Sequence, residues 1–225
     1  MTDIAKHQRV LDTITGPAEK RLLVAMCERM PAWVTPDVLT ALGLAGAAII
    51  FAGYALSRIS PAFLWLATFG LFVNWLGDSA DGTLARVRHV ERPKYGFYID
   101  HTVDVIAEAL VFLGFGVSPF VRFDLAALAY IGYLAMSVLV YVRTCVDGVF
   151  RISYSRLGPT EMRILLVVVN AVLFFTGAPQ VTPAFGGLSA CDVVLAAVAA
   201  ALGVFFVGTL LKGLGQLRDV DQAEA

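Results

Sequence analysis

Gly77-Asp78-Ser79-Ala80-Asp81-Gly82-Thr83-Leu84-Ala85-Arg86 is followed, after nine intervening residues, by Gly96-Phe97-Tyr98-Ile99-Asp100-His101-Thr102-Val103-Asp104. Asp78 and Asp81 are three apart and Asp100 and Asp104 four apart, so on helices each pair occupies one face. A long apolar run leads into the first pair and another follows the second. Two such faces brought together pool four carboxylates at a depth where water is scarce, which is strongly unfavourable unless cations neutralise them. Hard divalent ions with oxygen ligands meet that need, and Mg²⁺ is the usual one where phosphates also bind.

Outward from this stretch the chain reads as a membrane protein. Its 225 residues are 58% hydrophobic and 16% charged, with a mean hydropathy of +0.76. A soluble domain is nearer half apolar and about a quarter charged. Several runs approach the roughly 20 apolar residues that cross a bilayer. The reading is therefore an all-α polytopic membrane protein with six transmembrane helices, near 38–57, 61–84, 97–121, 125–147, 162–178 and 191–212. Pro119, Pro159, Pro179 and Pro183 fall in connections. Ahead of the spans, Lys20 to Arg29 suits an amphipathic helix on the membrane surface, the alternative being a soluble tail. Residues 1–35 form this interfacial segment, 36–215 the membrane domain and 216–225 a cytoplasmic tail. The N-terminus lacks an apolar core ending in small residues, so no cleavable signal peptide is expected.

Charge fixes the orientation. Of 17 Lys and Arg, 15 fall on the side of both termini and the aspartates, and only Arg58 and Arg122 on the other. Cytoplasmic loops collect positive charge, which makes the termini and the aspartate stretch cytoplasmic. The net charge of −1 gives no sign of a nucleic-acid partner. Cys27, Cys145 and Cys191 form no ligand spacing and read as apolar fillers.

Around the aspartates, each residue type suits a phosphate-bearing ligand. Gly82 lacks a Cβ and lets a ligand approach the helix backbone; Gly96 does the same ahead of the third span. Arg86 lies about one turn past Asp81 with a fork suited to phosphate. Two metals shared among the carboxylates can clamp a pyrophosphate, and a carboxylate left partly free can take a proton from an attacking hydroxyl. The plainer alternative is four separate helix caps and salt-bridge partners, which the paired spacing beside Gly, Arg and Gly disfavours.

The pattern D-x-x-D-G-x-x-A-R-(x9)-G-x-x-x-D-x-x-x-D resembles the signature of the CDP-alcohol phosphotransferase family of integral membrane enzymes. Asp78, Asp81, Gly82, Ala85, Arg86, Gly96, Asp100 and Asp104 match its fixed positions. The resemblance implies transfer of a substituted phosphate from a CDP-linked alcohol to a second alcohol in phospholipid synthesis, with release of CMP. It implies two Mg²⁺ ions, or Mn²⁺ in their place, with Asp78, Asp81 and Asp100 as core ligands. Asp104 would contribute to a metal or act as the general base. Gly82, Arg86 and Gly96 would contact the CDP portion. Six helices around a polar cytoplasmic cavity, usually as a homodimer among membrane lipids, complete the expectation.

Upstream, Pro36-Asp37-Val38-Leu39-Thr40 resembles the Pro-Asn-x-x-Thr segment that opens the first span in many members and helps line the nucleotide pocket. Pro36 and Thr40 match, while Asp37 replaces the common Asn and cannot donate its amide hydrogen bond. Asp37 reads equally as an N-cap. His101 after Asp100 looks like the choline and ethanolamine branch, although hydrogen bonding to a carboxylate or phosphate is its simpler role. Glu108 extends the stripe of Asp100 and Asp104 one turn deeper, to contact a polar acceptor or to hydrogen-bond a neighbour. Arg143, Arg151, Arg156 and Arg163 either hold an acceptor phosphate, with Arg143 and Arg151 the better candidates, or bind lipid headgroups. Asn170 reads as an interhelical hydrogen-bonding residue, and Gly43, Gly46, Gly53, Gly114 and Gly116 as sites of close helix packing. A CDP-diacylglycerol donor with a small polar acceptor, and a small CDP-alcohol with a lipid alcohol, both stay open. The rival class is a transporter or channel using the acidic cluster as a cation site.

Overall fold

The computed structural model describes residues 15–147, 158–178, 180–182 and 187–224. Among them a short helix, α1 (Gly16–Cys27), precedes six long ones: α2 (Pro36–Leu56), α3 (Leu64–Val87), α4 (Pro93–Val117), α5 (Phe123–Asp147), α6 (Pro159–Thr176) and α7 (Ala190–Glu224). A 3₁₀ turn at Pro61–Phe63 leads into α3. A small antiparallel pairing of β1 (Gln180–Thr182) with β2 (Leu188–Ser189) precedes α7. Four of the helices, α2, α5, α6 and α7, carry stretches long and apolar enough to cross a membrane by length and composition. The other two long helices, α3 and α4, are the ones that carry the aspartates.

Prolines set the starts. Pro36, Pro93 and Pro159 each stand at a first helical position, where the missing N–H has no intrahelical partner to lose. The cap of α2 is Thr35, whose hydroxyl accepts from Val38 N. Asp37, read above as a possible cap, sits one position inside the helix and pairs with Arg92. At α6, Glu161 Oε2 accepts from Gly158 N at 2.9 Å and Glu161 Oε1 accepts from both N and Oγ1 of Thr15. That ties the start of α6 to α1. α7 continues helical to Glu224, through most of the segment expected as a tail.

α2 and α3 are fused by glycines. A Cβ on Gly77 would lie 2.2 Å from Gly43 N, one on Gly46 2.3 Å from Asn74 N, and one on Gly53 2.4 Å from Ala67 N. Such contacts exclude any side chain. Gly114 meets Phe51 and Gly116 meets Ala126 in the same way. Behind this seam lies a core of Ile50, Tyr54, Leu64, Leu71 and Phe115. Tyr54 OH donates to Asn170 Oδ1 at 3.0 Å, and Asn170 Nδ2 donates to Thr68 Oγ1 at 3.1 Å. This satisfied chain joins α2, α6 and α3, as expected of Asn170.

α1 packs on α3 through Leu23 and Cys27, against Ala80 and Leu84. Cys27 Sγ donates to Ala80 O, and burial pushes its thiol up, so it behaves as a filler. Residues 1–14 of the expected N-terminal segment lie outside the described residues. Arg88, just past α3, donates to the carbonyls of Met30, Pro31 and Val34 and so stitches the α1–α2 connection to the end of α3.

Helix ends gather in two groups. The starts of α2 and α6 meet the end of α3 through Thr40–Asp81 and Arg163–Asp78, and the start of α2 meets that of α4 through Asp37–Arg92. At the opposite end Arg58 Nε donates to Val117 O, Arg122 N to Asp192 Oδ1 and Ser189 Oγ to Phe120 O.

Candidate active site

Because α3 and α4 are joined by a short turn, the last turns of one face the first turns of the other. Their four aspartates, Asp78, Asp81, Asp100 and Asp104, line one small cavity, closed from α2 by Thr40 and Gly43 and from below by Asn74. The glycine seam makes this possible, since it lets α2 approach closely enough for its first turns to touch the carboxylates of α3.

Each α3 aspartate is held by a partner from another helix. Thr40 Oγ1 donates to Asp81 Oδ2 at 2.6 Å, while Gly82 N lies 2.5 Å from Asp81 Oδ1. Arg163 of α6 donates through Nη2 to Asp78 Oδ2 at 2.6 Å and through Nε to Asn74 Oδ1 at 2.9 Å. Asn74 Nδ2 in turn donates to Gly43 O at 2.9 Å. Charge-assisted bonds of this length are strong.

On α4, Asp100, His101 and Asp104 each offer a ligand atom, and these atoms all lie within 4.8 Å of one another, a grouping that could hold a metal ion. His101 Nδ1 is 3.8 Å from Asp104 Oδ2. The imidazole is also flanked, edge-on by Phe97 at 4.3 Å between centroids and at a tilt by Tyr141 of α5 at 5.6 Å. Asp104, with 40% of its side chain exposed against 25% for Asp78, faces the opening more than its partner across the cavity. Oxygen donors dominate the set, which fits a hard divalent cation and not a thiophilic one.

Arg86 folds back along α3, with Nη2 donating to Thr83 Oγ1 at 3.1 Å, and lies where a Cβ on Gly82 would meet it at 3.4 Å. At Gly96 a Cβ would meet nothing within 4 Å, so the start of α4 borders open space. Pro36 stands at the start of α2, and its carbonyl lies 3.1 Å from Thr40 Oγ1. Arg92 pairs with Asp37 and stacks on the Tyr95 ring at 4.3 Å; the carboxylate raises its guanidinium above its ordinary value.

Deeper on α4, Glu108 lies close to Tyr133 of α5. The basic cluster divides: Arg163 binds Asp78 and Asn74 of the cavity lining, Arg143 donates to Gln216 of α7 at 3.3 Å, and Arg151 and Arg156 lie outside the described residues. One participant, Asn74, escapes the sequence reading, and a second, Arg163, is named there only as one of four arginines. Asn74 is four residues before Asp78 and therefore on its face, a polar residue in an apolar run that could have been flagged. Arg163 carries no signal that separates it from the other arginines.

A family model described as CDP-alcohol phosphatidyltransferase matches residues 33–208. Cholinephosphotransferase 1 of Mus musculus is 29% identical over 184 residues, which cover 77% of this chain and 45% of the relative. Cholinephosphotransferase 1 of Bos taurus is 31% identical over 160 residues, 66% of this chain and 38% of the relative. CDP-diacylglycerol–serine O-phosphatidyltransferase of Encephalitozoon cuniculi (strain GB-M1) is 37% identical over 122 residues, 49% of this chain and 31% of the relative. The chain thus spans less than half the length of the curated relatives it matches.

Proposed function

The chain belongs to the CDP-alcohol phosphatidyltransferase family, and we propose that it is an integral membrane transferase of phospholipid biosynthesis. It moves a substituted phosphate from a CDP-linked alcohol to an acceptor hydroxyl and releases CMP. The observation that carries this reading is a single cavity lined by four carboxylates from two helices. Such a pool of like charge serves a cation-dependent phosphate chemistry and has no purely structural use.

In this reading Asp78, Asp81 and Asp100, with Asp104 sharing, hold two Mg²⁺ ions, or Mn²⁺ in their place. Bound there, the metal neutralises charge on the pyrophosphate and polarises the phosphoryl oxygens. Thr40 fixes one oxygen of Asp81 and Arg163 one oxygen of Asp78, so both carboxylates are held in orientation from neighbouring helices. Arg86, Gly82 and Gly96 border the approach of the CDP portion, with Pro36 and Thr40 beside it. The acceptor oxygen bonds to the phosphorus that carries the donor alcohol. That phosphorus releases its bridging oxygen, which leaves in CMP, and the acceptor proton passes to Asp104, which is more exposed than Asp78.

All six long helices cross the membrane in this reading, with α1 on its surface. The site end carries Lys20, Arg21, Arg86, Arg88, Arg92 and Lys94 and the far end Arg58 and Arg122, which supports a cytoplasmic site and termini. A homodimer is proposed from the family alone.

The test is CMP release by the purified protein in lipid micelles with Mg²⁺. CDP-diacylglycerol, CDP-choline and CDP-ethanolamine are offered against a panel of alcohols that includes diacylglycerol, serine and glycerol phosphate. Metal-dependent CMP release with one pair establishes the class and the substrate scheme together. Absence of any CDP binding would overturn the reading in favour of a transporter or channel.

A further inference from the structure

Arg163 stands behind the cavity lining, a fixed positive charge held directly against one of the carboxylates the site would use for a cation. It reaches Asp78 Oδ2 at 2.6 Å and Asn74 Oδ1 at 2.9 Å. Only 17% of its side chain is exposed. Its remaining nitrogen, Nη1, is buried with no hydrogen-bond partner among the described residues. A guanidinium that merely tied α6 to α3 would gain nothing from a buried, unsatisfied N–H, which is unfavourable wherever it is left so. Its helix is held in place from outside the cavity: Thr15 donates to Glu161 Oε1, and Thr160 Oγ1 and Trp75 Nε1 both donate to Glu19 Oε1. The first turn of α6 is therefore clasped by α1, and Arg163, just inside it, is fixed and cannot swing away freely.

We infer that Arg163 is a positioning and charge-balancing residue that holds divalent metal weakly until an anionic phosphate arrives. It occupies one oxygen of Asp78 and subtracts a unit of negative charge from the pool. Bare metal therefore binds less tightly than four free carboxylates would allow. A pyrophosphate brings its own negative charge and an acceptor for the spare N–H, and metal and nucleotide then reinforce one another. This coupling rests on the proposed metal-dependent transferase site. Its sign follows from magnitudes. At separations of about 4–6 Å and an effective dielectric of about 20, repulsion between a doubly and a singly charged cation exceeds the roughly 10–100-fold that an outer-shell partner contributes by orienting its ligand.

The experiment is Mn²⁺ binding to the full chain in lipid micelles, read by electron paramagnetic resonance with and without CDP. The proteins are the wild type, Arg163→Gln, which can keep a hydrogen bond but not the charge, and Arg163→Lys, which keeps the charge. Arg163→Gln should bind Mn²⁺ alone at least tenfold more tightly, and the tightening conferred by CDP should fall at least tenfold. Arg163→Lys should bind Mn²⁺ alone within about threefold of the wild type, and stands as the test by itself if Arg163→Gln does not fold. Equal or weaker Mn²⁺ binding by Arg163→Gln, or a tenfold change in Arg163→Lys, would overturn the inference and leave Arg163 a structural tie. Failure of the wild type to bind Mn²⁺ in either condition would also overturn it. The transferase reading stands or falls separately, on CMP release by the wild type.

Discussion

Gly77→Ala tests whether the α2–α3 seam builds the site. The new Cβ would lie 2.2 Å from Gly43 N, 2.5 Å from Gly43 Cα and 2.5 Å from Leu39 O. All three are backbone atoms of α2, so no rotamer change relieves the overlap and the helices must part. Overpacking of a tight core costs about 1–3 kcal/mol, and three backbone clashes put this site at about 3 kcal/mol. Against that, Ala gains about 1 kcal/mol over Gly as a helix former. The net loss is about 2 kcal/mol, or a fall in Tm of about 4–8 °C for a chain of this size. Gly203→Ala is the internal control, since a Cβ there meets nothing within 4 Å. It keeps only the propensity gain and should raise Tm by about 2–4 °C. Both are read by thermal unfolding in lipid micelles, with CMP release in parallel. Parting α2 from α3 also moves Gly43 and Thr40 away from Asn74 and Asp81, so Gly77→Ala should lose activity beyond its loss of stability. If Gly77→Ala were stabilised like Gly203→Ala, the seam described here would be wrong.

Asp81→Ala and Asp100→Ala should each abolish CMP release while membrane insertion, followed by fractionation, is unchanged; a wild-type rate from either purified variant refutes the metal assignment. Thr40→Val removes the donor to Asp81 Oδ2 and should lower turnover about 10–100-fold, with Thr40→Ser restoring most of it. Equal losses from both would assign the effect to packing. Chelation with EDTA should stop CMP release, and added Mg²⁺ or Mn²⁺ should return it where Ca²⁺ does not match their rate; activity surviving dialysis against EDTA contradicts the mechanism. Asp37→Ala breaks an exposed pair with Arg92, so it should change stability by less than about 1 kcal/mol. A large rise in KM for the CDP-alcohol would instead give Asp37 a place in nucleotide binding.

What sequence alone delivers here follows from how local each signal is. The helices of α2, α5, α6 and α7 announce themselves through apolar runs, whereas Pro159, read as part of a connection, opens α6, and Pro36 and Pro93 open α2 and α4 a few residues before their apolar runs begin. The carboxylates are equally local, since spacings of three and four on a helix fix a shared face whatever surrounds it. The N-cap reading of Asp37 fails for the opposite reason. Either Thr35 or Asp37 satisfies the capping chemistry, and only the approach of Arg92, 55 residues away, decides which one is free to cap. Arg163 is harder still, because its partner Asp78 lies 85 residues earlier and four arginines between 143 and 163 share one composition signal. The clasp of Thr15 on Glu161 and of Glu19 on Thr160 singles it out by fixing where α6 begins. Asn74 lies between these cases. Its spacing from Asp78 is local, but its role depends on Gly43 O and Arg163 arriving from two other helices. The motif thus defines which groups can bind a cation, and the packing of α1, α2 and α6 around it defines how much charge that cation meets.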